Sequence, residues 1–257
     1  LHSTSRRQRQ MCIRDRYTVA TEMYSAGIDR LTHQPLSFSV SETTEGVHIH
    51  IIDAELMGKG EKEKKDLYIE GVQNNGIINH YEYIINSEGT IEIRHVLKPE
   101  GKMPLWFPRI GLTLTVSDAL DQVKWYGRGP QENYPDRKTG YPMGIYASTV
   151  QAMYEPYLMP QDYGLRTDVR WLQLTTDKGI GLQFKMNEWF NFNIYPYSTD
   201  NLTKAMYTYQ LQKQKGMTLN LDYATTGVGC TARGVFGAYK AMPQEYRRTI
   251  SIRPMMK

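Results

Sequence analysis

VHIHIIDAEL, residues 47–56, alternates apolar and polar side chains with a period of two. In an extended strand that period puts Val47, Ile49 and Ile51 on one face and His48 and His50 on the other. The pattern recurs downstream in LYIEGV (67–72), IINHYEYII (77–85) and TIEIRHVL (90–97), with NNG and NSEG as turns. The charged run GKGEKEKKD (58–66) reads as a solvated hairpin end, and RIGLTLTV (109–116) and VKWY (123–126) continue the series. In the second half, DVRWLQLT (168–175) and GIGLQFKM (179–186) read as a hairpin around TDKG. FNFNIYPY (190–197) sets Phe190, Phe192 and Ile194 against Asn191 and Asn193. LTKAMYTYQLQKQ (202–214) opens as a helical turn and runs on as a strand, before MTLNLDY (217–223) and YRRTISIRP (246–254). No long segment sustains a 3.6-residue period. Roughly fifteen short strands with turns at short spacing predict an all-β fold, a large antiparallel β-sandwich of two opposed sheets.

The 257 residues suffice for one large domain with a substantial core. The formal charge of +4 comes from the opening LHSTSRRQRQMCIRDR. Taking its five arginines from the 31 basic residues and its one aspartate from the 27 acids leaves 26 of each. The neutral remainder has no basic stripe with interleaved aromatics, so nucleic acid is not an expected partner. Residues 1–16 share no periodicity with the rest and are expected to be a non-native or disordered leader; 17–257 form the domain. Cys12 and Cys230 alone support neither a disulfide framework nor a thiolate metal site. No apolar run approaches the roughly 20 residues that span a bilayer, and no membrane partner is expected.

Motifs for chemistry are sparse. All six histidines precede residue 100. His48 and His50 share a strand face, as two metal ligands do, but no third ligand at fitting spacing is evident. They read as a polar, solvent-facing strand, and no metal is expected. GVGCTARG (227–234) is glycine-rich but opens no helix that could cradle a phosphate. Glu132, Asp136, Glu155, Asp162, Asp168 and Glu188 are available for glycoside cleavage, which needs two acids across one bond. The sequence pairs no two of them.

WYGRGPQENYPDR (125–137) is the most particular segment. Gly127 and Gly129 permit close backbone approach, Pro130 and Pro135 fix φ, and Glu132 and Asn133 can satisfy open backbone groups. Arg128 and Arg137 can pair the acids, and Trp125, Tyr126 and Tyr134 can bury the turn. These features predict a rigid, polar, well-packed crossing segment, a structural knot, and do not by themselves indicate catalysis.

Extended to WYGRGPQENYPDRKTG, the segment resembles a signature in the C-terminal domain of glycoside hydrolase family 2 β-galactosidases. The resemblance continues through MYEPYLMPQDYGLRTDVRWLQLT (153–175), FNFNIYPYSTDNLTKA (190–205) and LDYATTGVGC (221–230), with LWFPRIGL (105–112) upstream. It implies a galactose-mutarotase-like supersandwich closing a longer enzyme, truncated near residue 17. That enzyme would cleave terminal non-reducing β-D-galactosides with retention, using two glutamates on an upstream (β/α)₈ barrel. The resemblance implies an inactive fragment without cofactors, since the Mg and Na ions of family members are bound elsewhere. The partners it implies are the barrel, the galactoside and further copies of the enzyme. In some members a tryptophan of this domain stacks on the sugar. Trp189 is the nearest match here and Trp171 the alternative, although the spacing to the following aromatic strand departs from the family pattern. Met206 and Tyr207 stand where the family often has a histidine. An aldose-1-epimerase-like protein, which needs a histidine and a glutamate, and a free-standing carbohydrate-binding module are the rival readings.

Overall fold

The computed structural model describes residues 2–3, 27–28, 31–57, 75–229 and 234–256. The strands expected at 67–72, the charged run 58–66 and Cys230 lie outside these residues. The described strands are β1 (His2–Ser3), β2 (Thr32–Thr43), β3 (Gly46–Leu56), β4 (Gly76–Ile85), β5 (Ile91–Glu100), β6 (Arg109–Val116), β7 (Gln122–Arg128), β8 (Met143–Thr149), β9 (Arg166–Thr175), β10 (Gly181–Tyr197), β11 (Lys213–Thr225) and β12 (Tyr246–Met255). One short helix, α1 (Thr199–Lys204), follows β10, with Ser198 capping it through a bond from the Asn201 amide. All twelve strands belong to one hydrogen-bonded network, with pairing in the order β1-β6-β11-β10-β12-β5-β4-β3-β2 and β7, β8 and β9 branching from β10. Every pairing is antiparallel.

One strand expectation changes at β10. The segments read as separate strands at 179–186 and 190–197 are the two halves of the 17-residue β10. Nothing between them favours a turn, so the chain stays extended and absorbs the change of direction in a bulge. Lys185 faces Trp171 and Phe190 faces Val169, so β10 advances five residues where β9 advances two. His2 and Ser3 pair with Thr113 and Leu112 on the edge of β6.

The bulge is where the sheet forks. Before it, Gly181–Met186 pair with β12; after it, Asn191–Tyr195 pair with β11. The two arms then face each other. Ile77, Ile93 and Ile250 from the β4-β5-β12 arm pack in one cluster with Ile110, Leu112 and Tyr223 from β6 and β11. A second cluster joins Trp125, Leu172, Phe184, Phe192, Leu219 and Leu221 under β7 and β9. Met186 and Ile252 touch both.

The alternation of FNFNIYPY is obeyed, with an unexpected outcome for its polar face. Phe190, Phe192 and Ile194 enter the apolar core, yet Asn193 and its β11 partner Asn220 are also fully buried. They sit under a cover that includes Tyr163, Tyr195 and Leu202 of α1. Asn220 donates to Asn193 at 2.7 Å, and Asn193 donates to Asp162 at 2.9 Å. At the centre the fully buried Arg109 lies 2.8 Å from Asp222 and 3.5 Å from Asp162. Burial alone would lower Arg109, but the two carboxylates hold it above its ordinary value. Burial pushes the Asp222 carboxyl up to about 7 against the pull of Arg109, with Asp162 adding its repulsion.

Because Asp222 titrates higher folded than unfolded, the folded state holds the extra proton between about pH 4 and about pH 7. Stability from this site is therefore present below that window and lost as pH rises through it. Asp222→Asn should remove this slope, so urea midpoints of variant and wild type should diverge in the variant's favour from pH 5 to pH 8. Parallel profiles would mean that Asp222 is ionised throughout in the folded protein.

Candidate functional site

The 125–137 segment begins as β7 and leaves the sheet at Arg128. Trp125 is buried, packs on Phe192 and Tyr146, and donates its indole N–H to the Arg128 carbonyl at 3.0 Å. The glycines are required by proximity. A Cβ on Gly127 would lie 2.8 Å from Val169 Cγ2, and one on Gly129 would lie 2.9 Å from the Tyr146 ring.

Each charged residue in the segment has a definite partner. Glu132 is buried and accepts from the Gly164 amide at 2.9 Å, the Tyr134 hydroxyl at 3.1 Å, the Arg137 guanidinium at 2.7 Å and the Tyr157 hydroxyl. Asn133 accepts from the Thr167 amide at 3.0 Å, and its own amide donates to the Leu165 carbonyl. Asp136 accepts the Val228 and Gly229 amides at 3.0 and 2.6 Å, pinning the loop that follows β11. A Cβ on Gly227 would fall 2.3 Å from the Asp136 carboxyl carbon. Arg128 donates to Asp168 at 2.5 Å and to the Lys138 and Tyr141 carbonyls. Lys138 reaches both oxygens of Asp168. Burial would raise the Asp168 carboxyl, but Lys138 and Arg128 hold it below its ordinary value.

Chemically this is an anchoring network. Both oxygens of Glu132 are occupied by four donors, which leaves no open acid or base position facing a substrate. The sequence exposed the acids and arginines of the knot. It did not expose the partners Tyr157, Gly164 and Asp168, which lie 25 to 40 residues further along the chain.

The structure places Trp189 in the β10 bulge at the fork of the two arms. Its side chain is about half exposed (53%), and the Arg170 guanidinium lies 3.8 Å from its ring centroid. Beside it, Glu188 pairs with Arg248 at 2.9 Å and Asn187 accepts the Thr249 amide at 3.0 Å. The alternative, Trp171, is partly covered on β9 with its ring 6.5 Å from that of Tyr126. Four exposed aromatics escaped notice in the sequence: Phe38 on β2, Phe236 and Tyr239 after β11, and Tyr209, stacked on Tyr207 at 5.4 Å.

The chain has counterparts among known sequences. The chain belongs to the β-galactosidase small-chain family, whose profile matches residues 14–252. It is 38% identical over 147 residues to a β-galactosidase of Priestia megaterium, covering 57% of this chain and 14% of the relative. It is 31% identical over 207 residues to a β-galactosidase of Vibrio cholerae, covering 80% and 18%. The chain thus spans under a fifth of the length of these relatives. Among solved structures, galactose 1-epimerase from Lactobacillus acidophilus superposes with a TM-score of 0.42 at 9% identity, covering 88% of this chain and 66% of that one.

Glu132→Ala would strand two hydroxyls, an amide and a guanidinium together, and should destabilise the fold by about 3–5 kcal/mol. Arg137→Ala removes a partner that is 48% exposed and should cost only about 1 kcal/mol. Urea denaturation of the two variants decides the ranking, and equal losses would contradict a knot centred on Glu132.

Proposed function

We propose that this chain is the C-terminal sandwich of a β-galactosidase that cleaves terminal non-reducing β-D-galactosides with retention. The two glutamates that form and resolve the glycosyl-enzyme would lie on an upstream barrel. The observation that carries this reading is the family match across 14–252 in a chain covering 14% to 18% of its relatives. The anchoring role of the 125–137 segment supports it, because its acids are committed to holding loops. In this reading the sandwich supplies one wall of the sugar site, and Trp189, with one ring face under Arg170 and the side chain half exposed, offers a surface for stacking on a pyranose.

An aldose-epimerase-like activity fits less well. His95 is buried, within 2.7 Å of the Tyr223 hydroxyl and 3.1 Å of the Asn79 side-chain oxygen, and stacked on Tyr81 at 4.1 Å. Burial, with some help from His80, pushes its pKa down to about 3, so the ring is neutral and closed to a sugar.

Two measurements test the proposal. The chain alone, purified free of host enzyme, should show no turnover of a chromogenic β-galactoside, and measurable turnover would overturn the assignment of the chemistry to a barrel. In the full-length enzyme, Trp189→Ala should raise KM about five- to tenfold with kcat little changed, and Trp189→Phe should recover most of the loss. An unchanged KM would remove Trp189 from the sugar site and turn attention to Phe236.

A further inference from the structure

Arm β2–β5 carries a cluster that neither the family membership nor the proposed activity uses. Because Val47, Ile49 and Ile51 share one face of β3, with Ile51 packed against the core, His48 and His50 stand together on the outer face. The register of β3 with β4 sets Glu82 directly opposite His50, with His48 one step along the same face. Glu82 Oε1 lies 3.5 Å from His48 Nδ1 and 3.9 Å from His50 Nε2. One ligand atom from each of the three residues lies within 4.8 Å of the others.

We propose that His48, His50 and Glu82 form a binding site for a divalent first-row transition metal of the zinc type. Tetrahedral zinc, with bonds of about 2.0–2.2 Å, requires donor atoms about 3.4 Å apart, so the present separations need only small side-chain rotations. The backbone beneath is fixed, because ten consecutive positions of β3 and β4 are paired, from Val47↔Ile85 to Leu56↔Gly76. Two imidazoles and one carboxylate suit zinc, nickel or copper over magnesium or calcium, which prefer all-oxygen sites.

The surroundings are those of an outer shell. Arg94 donates to the other Glu82 oxygen at 3.1 Å and divides its charge with Glu92 at 2.8 Å. It thereby orients Glu82 and leaves Oε1 toward the imidazoles. Glu45, in the β2–β3 turn, places a carboxylate 4.0 Å from the second nitrogen of His48, where it can take that N–H when Nδ1 binds metal. His48 is largely covered while His50 is half exposed, so a fourth position is open to water. An ion bound here ties β3 to β4 from outside the core, on the arm away from the bulge that carries Trp189.

The test is equilibrium dialysis of the 257-residue chain, made without a polyhistidine tag and with Cys12 and Cys230 changed to serine, against zinc chloride alone and magnesium chloride alone. One zinc per chain should be retained at micromolar concentration, with no magnesium, and zinc should raise the melting temperature. His50→Ala and Glu82→Gln change exposed or partly exposed side chains and should fold as wild type by circular dichroism. Each should weaken zinc binding at least about tenfold and abolish the thermal shift. Zinc retention unchanged in both variants, equal retention of magnesium, or no zinc held by the parent chain would each overturn the site.

Discussion

A full positive charge, Arg109, is enclosed in the middle of a β-sandwich, and the arrangement around it follows from that. A guanidinium without water must have acidic partners within reach. Asp222 comes from the neighbouring β11 and Asp162 from the covering segment ahead of β9. The segment that runs into the start of β9, as far as Thr167, is thereby held against the sheet, and it is the same segment that offers the Gly164 amide to Glu132 and the Thr167 amide to Asn133. The buried ion cluster and the 125–137 knot are consecutive contacts of one strap.

That strap explains why the knot is so rich in special residues. Its backbone leaves β7, passes within van der Waals limits of Val169 and Tyr146, and holds the loop after β11 through Asp136. Glycines give the clearance, and acidic side chains replace the ladder bonds that an irregular path forfeits. A loop whose charged groups are all engaged is well suited to hold neighbouring elements steady and poorly suited to exchange protons with a ligand.

Much of this was legible in the sequence, because strand alternation is a local property. The strands at 47–56, 77–85 and 109–116 follow directly from spacing. What stayed hidden depends on register and on burial of both faces. Asn193 read as the polar side of a strand, yet it is covered, with its partner Asn220, because α1 and the strap lie over them. Glu82 is 32 residues beyond His50 and becomes its neighbour only through the β3–β4 pairing. The single β10 read as two strands because its bulge interrupts the alternation. Trp189, singled out by likeness to a family, is half exposed, and the sequence could not show that Arg170 lies over its ring.

The position of β12 has a consequence for how the chain comes to be folded. Among the described strands it stands furthest along the chain, yet it lies inside the sheet between β10 and β5. Until it has been synthesised, β5 and the first half of β10 each present an unpaired border, and the two arms have no continuous connection through the ladder. Such borders are templates for pairing with another chain. Without residues 246–255 the described strands would therefore form two half-sheets with open inner edges instead of a slightly shorter sandwich.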